Sequence, residues 1–239
     1  MSKYRLGLLQ CDVVPEDLRD RFADYPDMFE TAFANSAVDV DWRVYNVLDD
    51  QFPAAIDEVD GFITTGARAA VYDQMPWYNA LAELIRTIDA AGVPLVGICF
   101  GHQAIADALG GEVINSPKGW GIGVHEYKTA GQAAWMSPAQ PTFHVPACHQ
   151  DQIVSLPPGS ELLASNAHCE NFIVQFSPSS LGVQGHPEFE PEYLDTLIEL
   201  RREILPEAVA SNAKASLHTP HDNITMIRWI ANFLKIGSS

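Results

Sequence analysis

The chain has 239 residues, of which 47% are hydrophobic, enough apolar material for a substantial core. Its 31 acidic and 14 basic residues give a formal net charge of −17, which argues against nucleic acid as a partner, because such binding needs clustered lysine and arginine. No stretch approaches the roughly 18 apolar residues of a membrane span, and the N-terminus lacks a signal-peptide pattern, so we expect a cytoplasmic protein that does not bind membranes.

Short apolar runs alternate with longer helical patterns in the first half, which predicts parallel strands joined by helical crossovers and therefore an α/β fold. The predicted strands cover residues 6–10, 38–45, 61–64 and 93–99. A first helix is predicted over residues 17–34. A second follows Pro76 and ends at Gly92, and a third begins near His102.

The second half changes to short β-like segments separated by Gly, Pro and Ser, which predict hairpins or a mixed sheet. These segments lie at residues 124–128, 161–165, 172–176 and 181–184. Two helices are predicted to follow, over residues 191–202 and 223–234, the second with an apolar face that packs on the sheet. We find no linker or repeat, so we expect residues 1–239 to form one domain with a helical C-terminal segment, residues 191–239.

Cysteine usage directs attention to one residue. The four cysteines have no C-x-x-C pair and no zinc-ligand spacing, which disfavours a disulfide framework and a metal site. Cys99 lies between a predicted buried strand and a helix, flanked by Gly97 and Gly101, which permit a sharp turn that exposes the side chain. The N-terminus of the following helix favours a thiolate there. The alternative, a small buried residue at a strand end, is disfavoured by the two glycines.

Two motifs carry a family resemblance. Residues 97–103 read Gly-Ile-Cys-Phe-Gly-His-Gln, and residues 186–188, far downstream, read His-Pro-Glu. Together and in this order they resemble the motifs of class I glutamine amidotransferases, over about residues 6–189. The resemblance implies a flavodoxin-like fold, with a central mostly parallel sheet flanked by helices and a small additional β-sheet. Within that family, the chain resembles stand-alone proteins related to the amidotransferase domain of GMP synthase and to gamma-glutamyl peptidases.

The resemblance implies a catalytic triad. Cys99 would be the nucleophile, His186 the general base and then acid, and Glu188 the group that orients the imidazole. These residue types suit the roles, because imidazole exchanges protons near neutral pH and because alternate residues of an extended segment share one face.

It also implies an oxyanion hole made by the backbone N–H groups of Gly66 and Phe100, which would stabilise charge on the attacked carbonyl oxygen. Here the chain departs from the family's common Gly-Gly-Pro form, since Ala67 and Arg68 follow the glycine.

Substrate contacts are implied at two places. Gln103 resembles the residue that contacts the γ-glutamyl portion. A second stretch resembles the segment that holds the α-amino and α-carboxylate groups, although its cysteine stands where Ser or Asn is more usual; its residues are Cys148, His149, Gln150 and Asp151. An ordinary structural loop is the alternative there. Residues 118–123, which include Trp120, are either a pocket edge or a hairpin turn.

The implied reaction is hydrolysis of the γ-amide of glutamine or of a γ-glutamyl amide or peptide, through a γ-glutamyl thioester and without a metal or organic cofactor. A fused synthetase is not expected, because there is no phosphate-binding P-loop motif and only about 50 residues follow His-Pro-Glu. We favour a stand-alone hydrolase. The alternatives are a glutaminase subunit that supplies ammonia to a separate ATP-dependent synthetase, and a non-catalytic binding or regulatory homologue.

Overall fold

The computed structural model describes residues 3–73 and 75–237. The strands are β1 (Arg5–Gln10), β2 (Asp41–Asn46), β3 (Gly61–Thr64), β4 (Leu95–Ile98), β5 (Glu112–Asn115), β6 (Gly121–Thr129), β7 (Thr142–His149), β8 (Asp151–Ser155), β9 (Glu161–Ser165), β10 (Ile173–Gln175) and β11 (Ser180–Val183). The helices are α1 (Glu16–Phe22), α2 (Tyr25–Asn35), α3 (Tyr78–Ala90), α4 (Phe100–Ala108), α5 (Pro191–Leu200), α6 (Glu207–Ser216) and α7 (Asn223–Phe233).

Nine strands form the main sheet, in the order β2-β1-β3-β4-β11-β10-β9-β6-β7, and β5 pairs with β8 in a small second sheet. The five strands from β2 to β11 are parallel, and the strands beyond β11 continue the sheet in antiparallel pairing. The predicted α/β class and the additional sheet are therefore confirmed. Because β4 and β11 are parallel neighbours, the residues that follow Ile98 and Val183 meet at the same edge of the sheet.

Helices cover both faces of the sheet. On one face, α2 and α7 contribute to a core that includes Phe29, Trp229 and Ile230, which confirms the predicted packing of the last helix. On the other face, α3 and α4 enclose a second core that includes Leu81 and Phe100. Within residues 3–73 and 75–237, no helix has the length and apolarity that crossing a bilayer requires.

The helix predicted over residues 17–34 is two helices. Ala23 adopts a left-handed backbone conformation with φ 61°, which ends α1. Asp24 then caps α2, because its side chain accepts a hydrogen bond from Tyr25 N while the Asp27 side chain accepts one from Asp24 N. The apolar pattern runs through the break, so periodicity alone predicted one helix.

The second half contains elements that the sequence did not predict. β7 includes Pro146, a residue that argues against a strand. Helix α6 buries only Ala210 and Ala213, so the apolar pattern of this helix is too weak to be recognised. Residues 148–151 are the end of β7, a bend and the start of β8, where the chain passes from the main sheet to the small one. The stretch implied to bind substrate therefore lies at the junction of the two sheets.

Two buried histidines should make the fold acid-sensitive. Burial lowers the pKa of His102 and of His149 to about 3, whereas an unfolded chain has histidine pKa values of about 6.5. The unfolded state therefore binds more protons between these values, and stability falls as the pH falls. From pH 7 to pH 5 we expect a loss of about 2 kcal/mol per histidine. Urea unfolding at both pH values measures the free energy of unfolding. His102→Asn should lose less of it between pH 7 and pH 5 than the wild type, and a His218→Gln control at an exposed position should lose as much as the wild type.

Candidate active site

Cys99 occupies the one-residue turn between β4 and α4. Its backbone has φ 51° and ψ −100°, and its N–H donates to Val183 O of β11 at 2.8 Å. A Cβ atom at Gly97 would overlap the backbone of Gly101, and a Cβ at Gly101 would overlap the Thr64 side chain. The flanking glycines are therefore required by the close approach of α4 to the sheet, and the predicted sharp turn is present. The predicted exposure of the side chain is wrong, because Cys99 is buried with only 5% of its surface exposed.

The backbone at Cys99 is strained, because a non-glycine residue rarely adopts this conformation. We expect Cys99→Gly to be more stable than Cys99→Ala by about 1 kcal/mol, the reverse of the usual order of these residues. Urea unfolding of the two variants measures the difference. A more stable alanine variant would mean that the turn carries no strain.

His186 and Glu188 follow β11 and lie beside this turn. Nδ1 of His186 is 2.7 Å from Oε1 of Glu188, and both residues are buried. The His186 ring stacks on Phe189, with ring centroids 4.0 Å apart and planes within 4°. A Cβ atom at Gly66 would lie 2.7 Å from His186 Cε1 and 3.5 Å from Cys99 Cβ. The three residues implied as the triad are thus brought together, with Gly66 next to them.

The charges around His186 determine its protonation. Burial alone would lower its pKa, but the electrostatic and hydrogen-bond interactions with Cys99 and Glu188 outweigh burial and raise the pKa well above the ordinary value. A protonated imidazole is therefore favoured between the sulfur and the carboxylate. Such an arrangement keeps a nucleophilic sulfur and a proton donor in the same site.

Gln184 is a site residue that the sequence did not identify. It is fully buried in the segment after β11, and its Nε2 donates to Cys99 Sγ at 3.5 Å. Its Oε1 accepts from Gln103 Nε2 at 3.1 Å, which fixes the orientation of the amide. No motif marks a lone glutamine, so only the fold reveals this contact.

The loop after β3 carries Gly66 and is fixed by an ion pair. Arg68 donates to the Asp12 carboxylate from its backbone N, Nε and Nη2, at 2.8, 2.8 and 2.7 Å. Asp12 follows β1 and is buried. This pairing holds the loop in which Ala67 and Arg68 follow Gly66. Among the described residues we find no acceptor for the N–H of Gly66 or of Phe100, so both are available to an oxyanion.

A cavity of about 370 Å³ opens at Cys99. All five residues implied as substrate contacts line it: Gln103, Cys148, His149, Gln150 and Asp151. Gln103 Nε2 donates to Asp151 O at 2.9 Å, which ties α4 to the start of β8. His149 is buried and neutral, and its Nδ1 lies 3.1 Å from the same carbonyl oxygen. Trp120 also lines this cavity, so residues 118–123 include part of its edge.

Two further residues that line this cavity fix the Asp151 side chain. Tyr72 Oη and Asn115 Nδ2 donate to its Oδ1 at 2.8 and 2.9 Å. Neither residue belongs to a recognisable motif. Within the described ranges, no group of three or more His, Cys, Asp or Glu residues is placed to hold a metal ion.

Structural comparison places the fold among solved glutamine amidotransferases. A glutamine amidotransferase from Thermotoga maritima superposes with a TM-score of 0.79 at 17% identity, covering 98% of this chain and 100% of that one. One from Methylobacillus flagellatus gives 0.72 at 22% identity, covering 98% and 92%. At these identities the similarity concerns the fold.

Sequence comparison identifies the family. The chain is 28% identical to gamma-glutamyl peptidase 3 of Arabidopsis thaliana over 98% of its own length and 97% of that protein. It is 34% identical to one subunit of the glutamine-hydrolysing GMP synthase of Methanosarcina acetivorans, over 55% of this chain and 66% of that one. The family model for glutamine amidotransferase class-I matches residues 23–201, well over half of the chain. The chain therefore belongs to the class-I glutamine amidotransferase family.

Proposed function

We propose that the protein is a cysteine-dependent hydrolase of γ-glutamyl amides that acts without a synthetase partner. The observation that carries this proposal is the placement of Cys99 beside a His186 that is itself paired with Glu188 at 2.7 Å. The full-length similarity to a gamma-glutamyl peptidase supports an amide with an organic leaving group, in addition to glutamine itself.

In the first half of the reaction, the Cys99 thiolate attacks the carbon of the γ-carbonyl group and pushes the carbonyl electrons onto oxygen. The N–H groups of Gly66 and Phe100 stabilise this oxyanion. The C–N bond then breaks as protonated His186 gives its proton to the departing nitrogen, so that ammonia or an amine leaves and a γ-glutamyl thioester remains.

In the second half, water attacks the thioester and gives one proton to His186. The C–S bond breaks, glutamate is released and the thiolate is restored beside the imidazolium. Glu188 holds the imidazole through Nδ1, which leaves Nε2 for both proton transfers. Every proton taken up in one step is returned in another, so the cycle is closed.

The test is a glutamate-release assay of the purified chain on glutamine and on several γ-glutamyl amides. Turnover without any added protein is the expected result. Negligible turnover that a separate ATP-dependent synthetase restores would instead indicate a glutaminase subunit. No turnover under either condition, together with failure of a glutamine-like electrophile to label Cys99, would indicate a non-catalytic homologue.

Asp12 is expected to act as a positioning residue for the oxyanion loop. Asp12→Asn weakens three hydrogen bonds to Arg68, so the loop with Gly66 loses its fixed position. We expect kcat to fall about 10- to 100-fold with little change in KM, because displaced donors act mainly on the transition state. Steady-state kinetics measures this. Asp41→Asn, which removes the partner of Arg43 on the surface, is the matched control and should keep the wild-type kcat.

A further inference from the structure

Two cavities meet at Cys99. Besides the cavity of about 370 Å³, here called the larger cavity, a smaller one of about 230 Å³ is also lined by Cys99. Both are lined by Cys99, Ala67, Arg68, Cys148 and Arg201. The attacked carbonyl carbon must lie at this junction, so each cavity receives one of the two halves of the substrate.

The position of His186 decides which half enters which cavity. His186 lines the smaller cavity and is not part of the lining of the larger one. Its proton must reach the departing nitrogen, and a general acid acts only within hydrogen-bonding distance. The leaving group therefore lies in the smaller cavity, and the glutamyl group lies in the larger one.

The smaller cavity is far larger than ammonia needs. Ammonia is about the size of water, which occupies roughly 30 Å³ in the liquid, whereas this cavity has about 230 Å³. Its walls are largely apolar and are formed by Tyr25, Phe189, Tyr193, Leu197 and Leu200. Burying apolar surface stabilises a bound group roughly in proportion to its area. An amine with an apolar side chain therefore fits this cavity better than ammonia does.

A cation lies at the junction. Arg201 ends α5, its guanidinium lies 5.4 Å from the centre of the Trp120 ring, and Nη1 donates to Leu197 O at 3.3 Å. Among the residues that the structure describes, no carboxylate is within salt-bridge distance of Arg201, whereas Arg68 is held by Asp12. In a chain with a net charge of −17, this guanidinium is the available partner for an anionic group in the smaller cavity.

We infer that the preferred leaving group is an amino acid or short peptide, with an apolar side chain against the tyrosine and leucine walls and a carboxylate on Arg201. This inference rests on the proposed hydrolase function and narrows its substrate to γ-glutamyl peptides. Arg201 is then the residue that distinguishes a peptide from glutamine and from an uncharged amide.

The experiment compares three substrates that share the glutamyl group: γ-glutamyl-leucine, γ-glutamyl-leucinamide and glutamine. We expect kcat/KM for γ-glutamyl-leucine to exceed both others by about tenfold or more, because a hydrogen bond to a charged group contributes about 1.5–3 kcal/mol. Arg201→Gln should lower kcat/KM for γ-glutamyl-leucine about 10- to 100-fold and change the value for the leucinamide less than about threefold. Arg202→Gln, which removes the surface pair with Glu207, is the control and should leave all three values unchanged.

Three outcomes overturn the inference while the proposed function stands. The first is an equal kcat/KM for γ-glutamyl-leucine and γ-glutamyl-leucinamide, and the second is an equal kcat/KM for γ-glutamyl-leucine and glutamine. The third is an equal loss of kcat/KM for γ-glutamyl-leucine and γ-glutamyl-leucinamide in Arg201→Gln, which would place Arg201 on the glutamyl carboxylate. Turnover of none of the three substrates by the wild type overturns the proposed function as well. The wild-type preference is measured without any variant, so it does not depend on how Arg201→Gln folds.

Discussion

Replacing Cys99 with alanine is expected to lower kcat for γ-glutamyl amides by at least about four orders of magnitude. The substitution keeps the Cβ atom and the strained turn but removes the atom that attacks the carbonyl carbon. Only substrate binding and the oxyanion donors remain, and these supply a small residual rate. A glutamate-release assay with long incubation measures the loss.

The control for this variant is Cys169→Ala. Cys169 is buried outside both cavities, and burial raises the pKa of its thiol to about 12, so it is an unreactive thiol in the core. We expect a kcat close to that of the wild type. If Cys99→Ala kept that rate as well, the sulfur would have no part in the chemistry.

Substitutions of the other two triad residues should separate proton transfer from orientation. His186→Asn removes the group that exchanges the proton, and we expect kcat to fall about 10³- to 10⁴-fold. Glu188→Gln keeps the shape but removes the negative charge that helps to raise the pKa of His186. Its kcat should fall by about 10²-fold or more. The basic limb of its pH profile should move to lower pH, because the imidazolium loses its proton more easily.

Glu192→Gln is the matched control for the carboxylate. Glu192 pairs with Arg21 on the surface, so its substitution should change neither kcat nor the pH profile. A Glu188→Gln variant with the wild-type pH profile would show that the carboxylate does not act on the imidazole. In that case the 2.7 Å contact would have only a structural role.

The sequence was sufficient for the fold class and for the residues around Cys99, because those residues obey local rules. A glycine on either side of a cysteine, between a strand and a helix, is a signal that lies within five positions of the chain. The parallel strands were also recognisable, since a strand buried on both faces is a continuous apolar run. The antiparallel extension was less recognisable, because β7 contains a proline.

Residues that act only through the fold could not be predicted. Gln184 reaches the sulfur from the segment after β11, Asp12 fixes a loop that lies 56 positions further along, and the Arg201 guanidinium lies close to the Trp120 ring. None belongs to a motif, and each pairing depends on how the strands are ordered in the sheet. The size and lining of the two cavities are likewise properties of several loops and helices together.

Trapping with hydroxylamine tests the thioester most directly. Glutamine and γ-glutamyl-leucine lose different leaving groups, but both should pass through the same γ-glutamyl enzyme. At a fixed hydroxylamine concentration, the ratio of γ-glutamyl hydroxamate to glutamate should therefore be identical for the two substrates. Ratios that differ between them, or turnover that yields no hydroxamate at any hydroxylamine concentration, would contradict a shared acyl intermediate on Cys99.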